Sequence, residues 1–419
     1  MRKYEIVFKS LAKVVKNCWQ ARKLLQLENS RESISLQAMR SYIKQACGNT
    51  WDIPYDNYCA ENALYLKGIQ EEMSTLLVLE SAIDCEEYLR KFELAFAKYY
   101  GVLYALGVSS GTAALALTLG AFDIGEGDEV ITTPHTYIAT ALAIIDVGAR
   151  PVFVDIGEDF NIDPLKIEEK ISSRTKAILP VHLYGNPCRM DQIMEIAQKY
   201  SLAVVEDACQ AHGASLDGKK VGTFGNAGCF SFHPSKIIGG MGDGGMVITS
   251  DKKLAQRIIK QKEPIHHDTE VLKSRRTPAC LDPIHVPFLI TKLQHIREII
   301  ERRKKIAAMY NNSFISIPQL RIPNIETGCE HSYRNYTLRA EGRSGLRRYL
   351  FTRGIQAKVF YEIPLYLRKE FEFLGYRQAD FPLCEQTYKE IISLPISHAL
   401  KNEQVEIIIR EIKNYYGIK

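Results

Sequence analysis

Lys236 follows the apolar stretch Cys229-Phe230-Ser231-Phe232-His233-Pro234-Ser235 and precedes a glycine-rich turn, Gly239-Gly240-Met241-Gly242-Asp243-Gly244-Gly245. Glycines let the backbone come close to a bound cofactor. A lysine in such a cavity can form a Schiff base with a carbonyl group and later shuttle protons on its freed amine. A surface lysine beside ordinary turn glycines has the same pattern. Upstream, Val204-Val205-Glu206-Asp207-Ala208-Cys209-Gln210 brings an acidic pair to the end of an apolar strand. An aspartate there can keep a pyridinium nitrogen protonated, so that the ring draws electrons from a substrate carbon. A helix-capping aspartate is the other reading. Val108-Ser109-Ser110-Gly111-Thr112-Ala113-Ala114-Leu115 ends a strand, turns on small residues and starts a helix. Free N–H groups at a helix start bind phosphate, and the hydroxyls of Ser110 and Thr112 can add donors; a plain capped turn explains the segment equally. In Thr133-Pro134-His135-Thr136-Tyr137, the Tyr137 ring could stack on a flat cofactor or fill the core.

These residues need a scaffold that gathers strand ends. Strand-like stretches occur at Leu103–Val108, Glu129–Thr132, Pro151–Val154, Ala177–Pro180, Ala203–Val205, Gly228–Phe232 and Gly245–Ile248. Helical patterns at Ala113–Leu119, Ala139–Val147 and Met190–Tyr200 fall between them. Such alternation predicts an α/β fold with a mostly parallel sheet covered on both faces, whose ligands bind beyond the carboxyl ends of the strands. We divide the chain into a helical N-terminal extension (1–74), a large cofactor-binding domain (75–300) and a smaller C-terminal α/β domain (301–419). In the extension, helices are expected from the spacing of Leu11, Val14, Val15, Cys18, Ala21, Leu24 and Leu25, and again up to Gly48. Trp51 to Tyr58 reads as an irregular linker. A long charged helix is expected from Leu293 to Tyr310, bridging the two domains.

Composition narrows the classes. The chain has 419 residues, 46% hydrophobic and 25% charged, with a formal net charge of +5, as in ordinary globular proteins. The run Glu301-Arg302-Arg303-Lys304-Lys305 reads as a solvated helix face rather than a nucleic-acid patch. No apolar run is long enough to span a membrane, and the N-terminus has no signal-peptide core; a cytoplasmic location is expected. The ten cysteines form no Cys-x-x-Cys pair and read as reduced core thiols. The ten histidines show no metal-ligand spacing.

The order of these motifs is more specific than any one of them. From about Thr75 onward the chain resembles the DegT/DnrJ/EryC1/StrS (sugar) aminotransferases of pyridoxal 5'-phosphate (PLP) fold type I. The resemblance rests on residues 110–115, Gly127-Asp128-Glu129-Val130-Ile131, Val181-His182-Leu183-Tyr184-Gly185, and Glu206 through Gly213. It continues in Gly228 through Phe232 with Lys236, in Gly244-Gly245, and in Ser393-Leu394-Pro395-Ile396. It implies an aspartate aminotransferase-like fold, with a large doubly wound sheet domain and a smaller C-terminal domain. It implies that Lys236 forms the internal aldimine and acts as acid/base, and that Asp207 pairs with the pyridine nitrogen. Gln210 would contact the cofactor near its phenolic oxygen, Gly111, Thr112 and Ser231 would hold the phosphate, and Tyr137 would stack on the ring. The implied reaction moves an amino group from glutamate or glutamine to a keto sugar, commonly nucleotide-linked, or to a keto-cyclitol, in a homodimer with its active site at the interface.

The sequence also departs from the family pattern. Where family members carry an asparagine that reaches the partner subunit's cofactor phosphate, and an arginine after it, Pro278 and Cys280 fall here, and proline has no N–H to offer. Lys273, Arg275 and Arg276 are nearby positive charges. The family's Gln-Leu pair reads Lys292-Leu293, and Pro364-Leu365-Tyr366, on the expected substrate side, replaces Pro-Leu-His. Elimination or decarboxylation of an amino acid on the same fold, or a non-catalytic partner subunit, are the alternative functions these departures motivate.

Overall fold

The computed structural model describes residues 51–262 and 279–418. The expected helices before Gly48, and Lys273, Arg275, Arg276 and Pro278, lie outside the described residues.

All seven apolar stretches form strands of one sheet: β1 (Tyr104–Val108), β2 (Glu129–Thr132), β3 (Arg150–Phe153), β4 (Thr175–Ile178), β5 (Ala203–Asp207), β6 (Ala227–Ser231) and β7 (Gly245–Thr249). Their spatial order is β1-β7-β6-β5-β4-β2-β3. The pairs from β3 through β2, β4 and β5 to β6 are parallel, whereas β7 runs antiparallel to both β6 and β1. Parallel neighbours need a long crossover, but antiparallel neighbours can be joined by a loop. The β6–β7 connection is such a loop, and it carries Lys236.

Helices cover the sheet. In chain order they are α1 (Tyr58–Ala63), α2 (Leu66–Leu76), α3 (Ala82–Tyr100), α4 (Gly111–Ala121), α5 (Ile138–Asp146), α6 (Met190–Tyr200) and α7 (Lys252–Lys262). α3 begins at a capping box, in which Ser81 N–H donates to Asp84 Oδ2 (3.0 Å) and Asp84 N–H to Ser81 Oγ (3.2 Å). It ends at Gly101, whose φ of 72° closes the last turn. Its inner face sets Phe92 and Phe96 against Phe230 and Phe232, with ring centroids 5.3–5.6 Å apart. Burying each such ring contributes about 1.5–3 kcal/mol, so the start of the Lys236 loop rests on a firm aromatic floor.

The helix α8 (Val286–Gln294) ends where the long helix is expected to begin, and the expected helix itself is α9 (Ile296–Phe314). His295 separates them with φ −102° and ψ 9°, a break that no glycine or proline announces. Beyond it, β8 (Leu320–Arg321), β9 (Tyr336–Ala340) and β10 (Ile391–Leu394) form a smaller antiparallel sheet. Residues of α9, α10 (Arg343–Thr352) and α12 (Asn402–Tyr415) share its core, and α11 (Pro382–Glu390) leads into β10.

The linker reading of Trp51–Tyr58 is corrected. Ile53 N–H donates to Gly354 O and Gln356 N–H to Ile53 O, both at 3.0 Å, and Ile53 is only 3% exposed. The partner, an isolated bridge at Ile355, lies far away in the sequence, so no local pattern reveals this docking.

β5 also shows why an acidic pair divides its labour. Successive side chains of a strand point to opposite faces. Glu206 accepts from the N–H groups of Gly222 (2.6 Å), Phe224 and Gly225 (both 2.7 Å), and it contacts His182 Nε2 at 3.0 Å. It is a buried clamp on the chain leading into β6. Glu206→Gln turns an amide N–H toward this set of donors and is expected to cost about 3 kcal/mol. Denaturant melts of purified protein would read the loss, and the protein that remains folded should keep its turnover.

Candidate active site

The carboxyl ends of β1, β2, β5 and β6 share one edge of the sheet, and each delivers a sequence-predicted residue. At the end of β1, Ser110 caps α4 by accepting Ala113 N–H at 3.0 Å. The capping reading therefore holds for its oxygen, while its O–H remains a donor. Gly111 opens the helix, and a Cβ there would lie 2.8 Å from both Cys209 Sγ and Ser231 Cβ. Only glycine allows α4 to bring its N-terminus this close to the ends of β5 and β6. Thr112, partly buried, is the next residue of that turn.

Asp207 ends β5. Its Oδ2 accepts from Thr140 Oγ1 at 2.8 Å and its Oδ1 from Cys209 N–H at 3.2 Å. Thr140 is in turn 3.0 Å from Thr136 Oγ1. Thr136 lies just before α5 and Thr140 in its first turn, so the segment carrying Tyr137 also orients the carboxylate. Tyr137 itself is 54% exposed, with its ring 6.1 Å from that of Tyr361.

Gln210 is held at both ends. Its Oε1 accepts Tyr184 N–H at 3.0 Å, and its Nε2 donates to the Tyr361 hydroxyl at 3.1 Å. Ser231, at the end of β6, accepts His233 N–H at 3.3 Å. A tight turn follows, in which Lys236 N–H donates to His233 O at 2.8 Å. Lys236 is partly exposed as a residue, yet burial of its amine lowers its pKa below the ordinary lysine value. Cys209 and Asp207 act in the opposite direction and Arg334 in the same one, so all three lie within its electrostatic reach. Beside them the His212 ring is buried against Phe230 and Phe232, and burial lowers its pKa to about 3. Neither ring nitrogen of His212 has a hydrogen-bond partner among the described residues.

The departures noted in the sequence now have places. Cys280 pairs with Val108 in an antiparallel bridge, and Ser109 N–H donates to Ala279 O at 2.9 Å. Ala279 and Cys280 therefore run beside the turn that leads into Gly111. Lys292 is buried, with Nζ donating to Gly239 O at 2.7 Å, and burial lowers its pKa to about 8. It ties α8 to the glycine turn after Lys236. Tyr366 is a core residue whose hydroxyl donates to Glu385 Oε1 at 2.6 Å. Of its neighbours, Leu365 donates its N–H to Pro134 O at 3.0 Å, next to the Tyr137 segment.

Gly111, Ser231, Cys209, Asp207, Gln210 and Lys236 thus converge, while Tyr137 joins them through Tyr361. With this geometry in hand, comparison with known proteins is decisive. Residues 67–413 match the DegT/DnrJ/EryC1/StrS aminotransferase family. The chain belongs to this family. The dTDP-3-amino-3,6-dideoxy-alpha-D-galactopyranose transaminase of Aneurinibacillus thermoaerophilus is 39% identical over 369 residues, spanning 87% of this chain and 99% of that protein. S. venezuelae DesV, solved in complex with a ketimine intermediate, superposes with a TM-score of 0.81 at 33% identity, covering 87% of this chain and 98% of the other. NtdA from Bacillus subtilis with bound cofactor PMP superposes with a TM-score of 0.77, covering 87% and 85%; at 24% identity this likeness bears on the fold.

As a member of this aminotransferase family the chain is a PLP-dependent enzyme of fold type I. The residues present fit the cofactor. The helix start at Gly111, with no Cβ to block it, suits a phosphate, a buried carboxylate is available for a pyridine nitrogen, and a desolvated amine is available for an aldehyde. Sequence reasoning missed Thr136, Thr140, Tyr361 and Arg334. The i, i+4 threonines at the start of α5 were a readable signal; Tyr361 and Arg334 arrive from distant segments and gave none.

Proposed function

We propose that this aminotransferase moves an amino group from glutamate or glutamine to a keto sugar carried on a nucleotide, and that it works as a homodimer. The observation that carries the reading is the meeting of a desolvated Lys236 amine, a hydrogen-bonded Asp207 carboxylate and an open helix start at Gly111. The acceptor class is supported by the dTDP-sugar transaminase of A. thermoaerophilus. The exposed Tyr137 and the 62%-exposed Met241 of the glycine turn leave apolar surface near the site for a substrate or a second copy to cover.

In this reading the bound cofactor supplies an electron sink for the carbon that bears the amine. Lys236 Nζ, whose pKa burial lowers, gives up its proton more readily than an ordinary lysine and would move the proton between substrate and cofactor carbons. Asp207 holds a proton on the pyridine nitrogen, and Thr140 and the Cys209 N–H fix its carboxylate for that contact. Gly111, Thr112 and Ser231 hold the phosphate with the Ser110 hydroxyl, Gln210 holds the ring's phenolic oxygen, and Tyr137 covers the ring.

The test is a visible absorbance titration of the PLP-loaded enzyme. L-glutamate or L-glutamine is expected to bleach the yellow band, with one keto acid formed per site. A nucleotide-linked keto sugar should then restore the band, and mass spectrometry should find the amino sugar. A band indifferent to both donors, or one that no keto sugar restores, overturns the proposal.

A further inference from the structure

Arg334 is 7% exposed, and a guanidinium carries five N–H donors and keeps its charge when buried. Its Nη1 donates to Asn335 Oδ1 at 2.8 Å. Its Nη2 lies 3.7 Å from Asp56 Oδ1, beyond hydrogen-bond reach. Its Nε is shielded from solvent and has no hydrogen-bond partner among the described residues. Nε and Nη2 share one edge of the guanidinium, on which Nε has no partner among the described residues and Nη2 has only the long contact to Asp56. That edge presents two parallel N–H groups, which match the two oxygens of a carboxylate.

The residue belongs to the wall of the active site. Ser332 N–H donates to Gly185 O (2.9 Å) and Asn335 N–H to Tyr184 O (3.1 Å), which lays the Arg334 segment on the turn that holds Gln210. Gly185 has a φ of +96°, and a Cβ there would lie 3.0 Å from Arg334 N and 3.2 Å from Gln210 O. The Arg334 charge is also felt at the Lys236 amine, where it adds to the lowering caused by burial, and at the Tyr361 hydroxyl, where it opposes the rise caused by burial.

The charge count favours one small anion. Asp56 Oδ2 takes Lys358 Nζ at 2.6 Å, so two cations, Lys358 and Arg334, face a single carboxylate. Arg303 and Glu61, which also reach this corner, pair with each other at 3.5 Å, so two cations against one carboxylate leave one positive charge. A diphosphate carries more charge than that, and in a nucleotide sugar it need not lie beside the reacting carbon. An amino donor carries its carboxylate on the very carbon that bears the amine.

We propose that Arg334 is the carboxylate-binding residue of this site, receiving a substrate carboxylate on its Nε/Nη2 edge. The carboxylate comes from the amino donor or from an acidic keto sugar, and the assignment rests on the aminotransferase reading above.

The experiment compares the PLP-loaded wild type with Arg334→Gln. Calorimetry would measure the binding of 2-oxoglutarate, and absorbance the dependence of bleaching on L-glutamate. Removing a charge-assisted pair should weaken 2-oxoglutarate binding on the order of ten- to a hundredfold. The half-saturating glutamate concentration should rise in parallel while the limiting bleaching rate changes much less, as for lost ground-state binding. The extent of PLP loading and the melting temperature should hold, while the onset of loading moves to higher pH because the Arg334 charge no longer lowers the Lys236 pKa. Arg334→Lys keeps the charge without the fork and should fall between the two; it also serves if the glutamine variant does not fold. A loss confined to an acidic keto sugar, with both glutamate and 2-oxoglutarate unaffected, supports the inference and assigns the carboxylate to the acceptor. Unchanged binding of every carboxylate ligand in a folded variant overturns it, as does a wild type that binds none. A wild type that binds 2-oxoglutarate through Arg334 yet is not bleached by donors leaves the inference standing and defeats the functional proposal.

Discussion

Lys236→Ala is expected to lower amino-group transfer by about 10⁴-fold, with the yellow lysine-linked band gone and only the spectrum of free cofactor left after loading. The size follows from the two tasks that one amine performs in this reading, covalent attachment and proton transfer. The proposed phosphate cradle at Gly111 is untouched by the change, so PLP should still bind, and small primary amines added to the buffer should restore part of the rate. The depressed pKa adds a pH signature. Neutral amine is the reactive form, so the rate of PLP loading by the wild type should rise with pH and level off below the ordinary lysine value of 10.5. The stability of the cofactor-free protein should follow. Between the lowered folded pKa and the unfolded value, the unfolded chain binds more protons, so stability rises with pH across that window. Lys236→Ala should flatten that part of the profile, as thermal melts of wild type and variant at stepped pH would reveal. A variant that keeps the yellow band and bleaches with glutamate would transfer the role to another amine.

Much of this site could be read along the chain because its parts are local. Each of the seven strands of the large sheet carries a short apolar run, and a doubly wound sheet places its ligand where those runs end. The Lys236 loop, the Asp207 strand end and the Gly111 turn were therefore placed correctly at the scale of elements. The remainder depends on contacts between residues distant in sequence. Gln210 is positioned by Tyr184 and Tyr361, and Arg334 faces Asp56 across most of the chain. Tyr366 was expected near the substrate, but its hydroxyl is bonded to Glu385, a pairing decided by packing. The helix break at His295 and the docking of Ile53 beside Ile355 are of the same kind: nothing in the neighbouring residues distinguishes them from a continuous helix or a free linker.

Asp207→Asn separates chemistry from architecture on a single strand. The amide has the shape of the carboxylate, so its oxygen can keep the Cys209 N–H and its nitrogen can donate to Thr140 Oγ1 in place of the present contacts. Stability should therefore change little. What disappears is the negative charge that would keep a proton on the pyridine nitrogen, and removing one preorganised group of this kind typically costs 10²- to 10³-fold in rate. Asp207 also raises the Lys236 pKa, so without its charge that pKa should drop further, and the onset of PLP loading should move to lower pH. Glu206, one residue earlier, should behave in the opposite way. Its carboxylate answers to Gly222, Phe224 and Gly225 on the other face of the strand, so its loss is structural. The pair of variants forms a crossed test: one should melt like wild type and turn over poorly, the other should melt early and turn over normally while folded. If Asp207→Asn kept more than about a tenth of the wild-type rate, the preorganised-charge argument would fail, and the acidic pair would be a purely structural feature of β5.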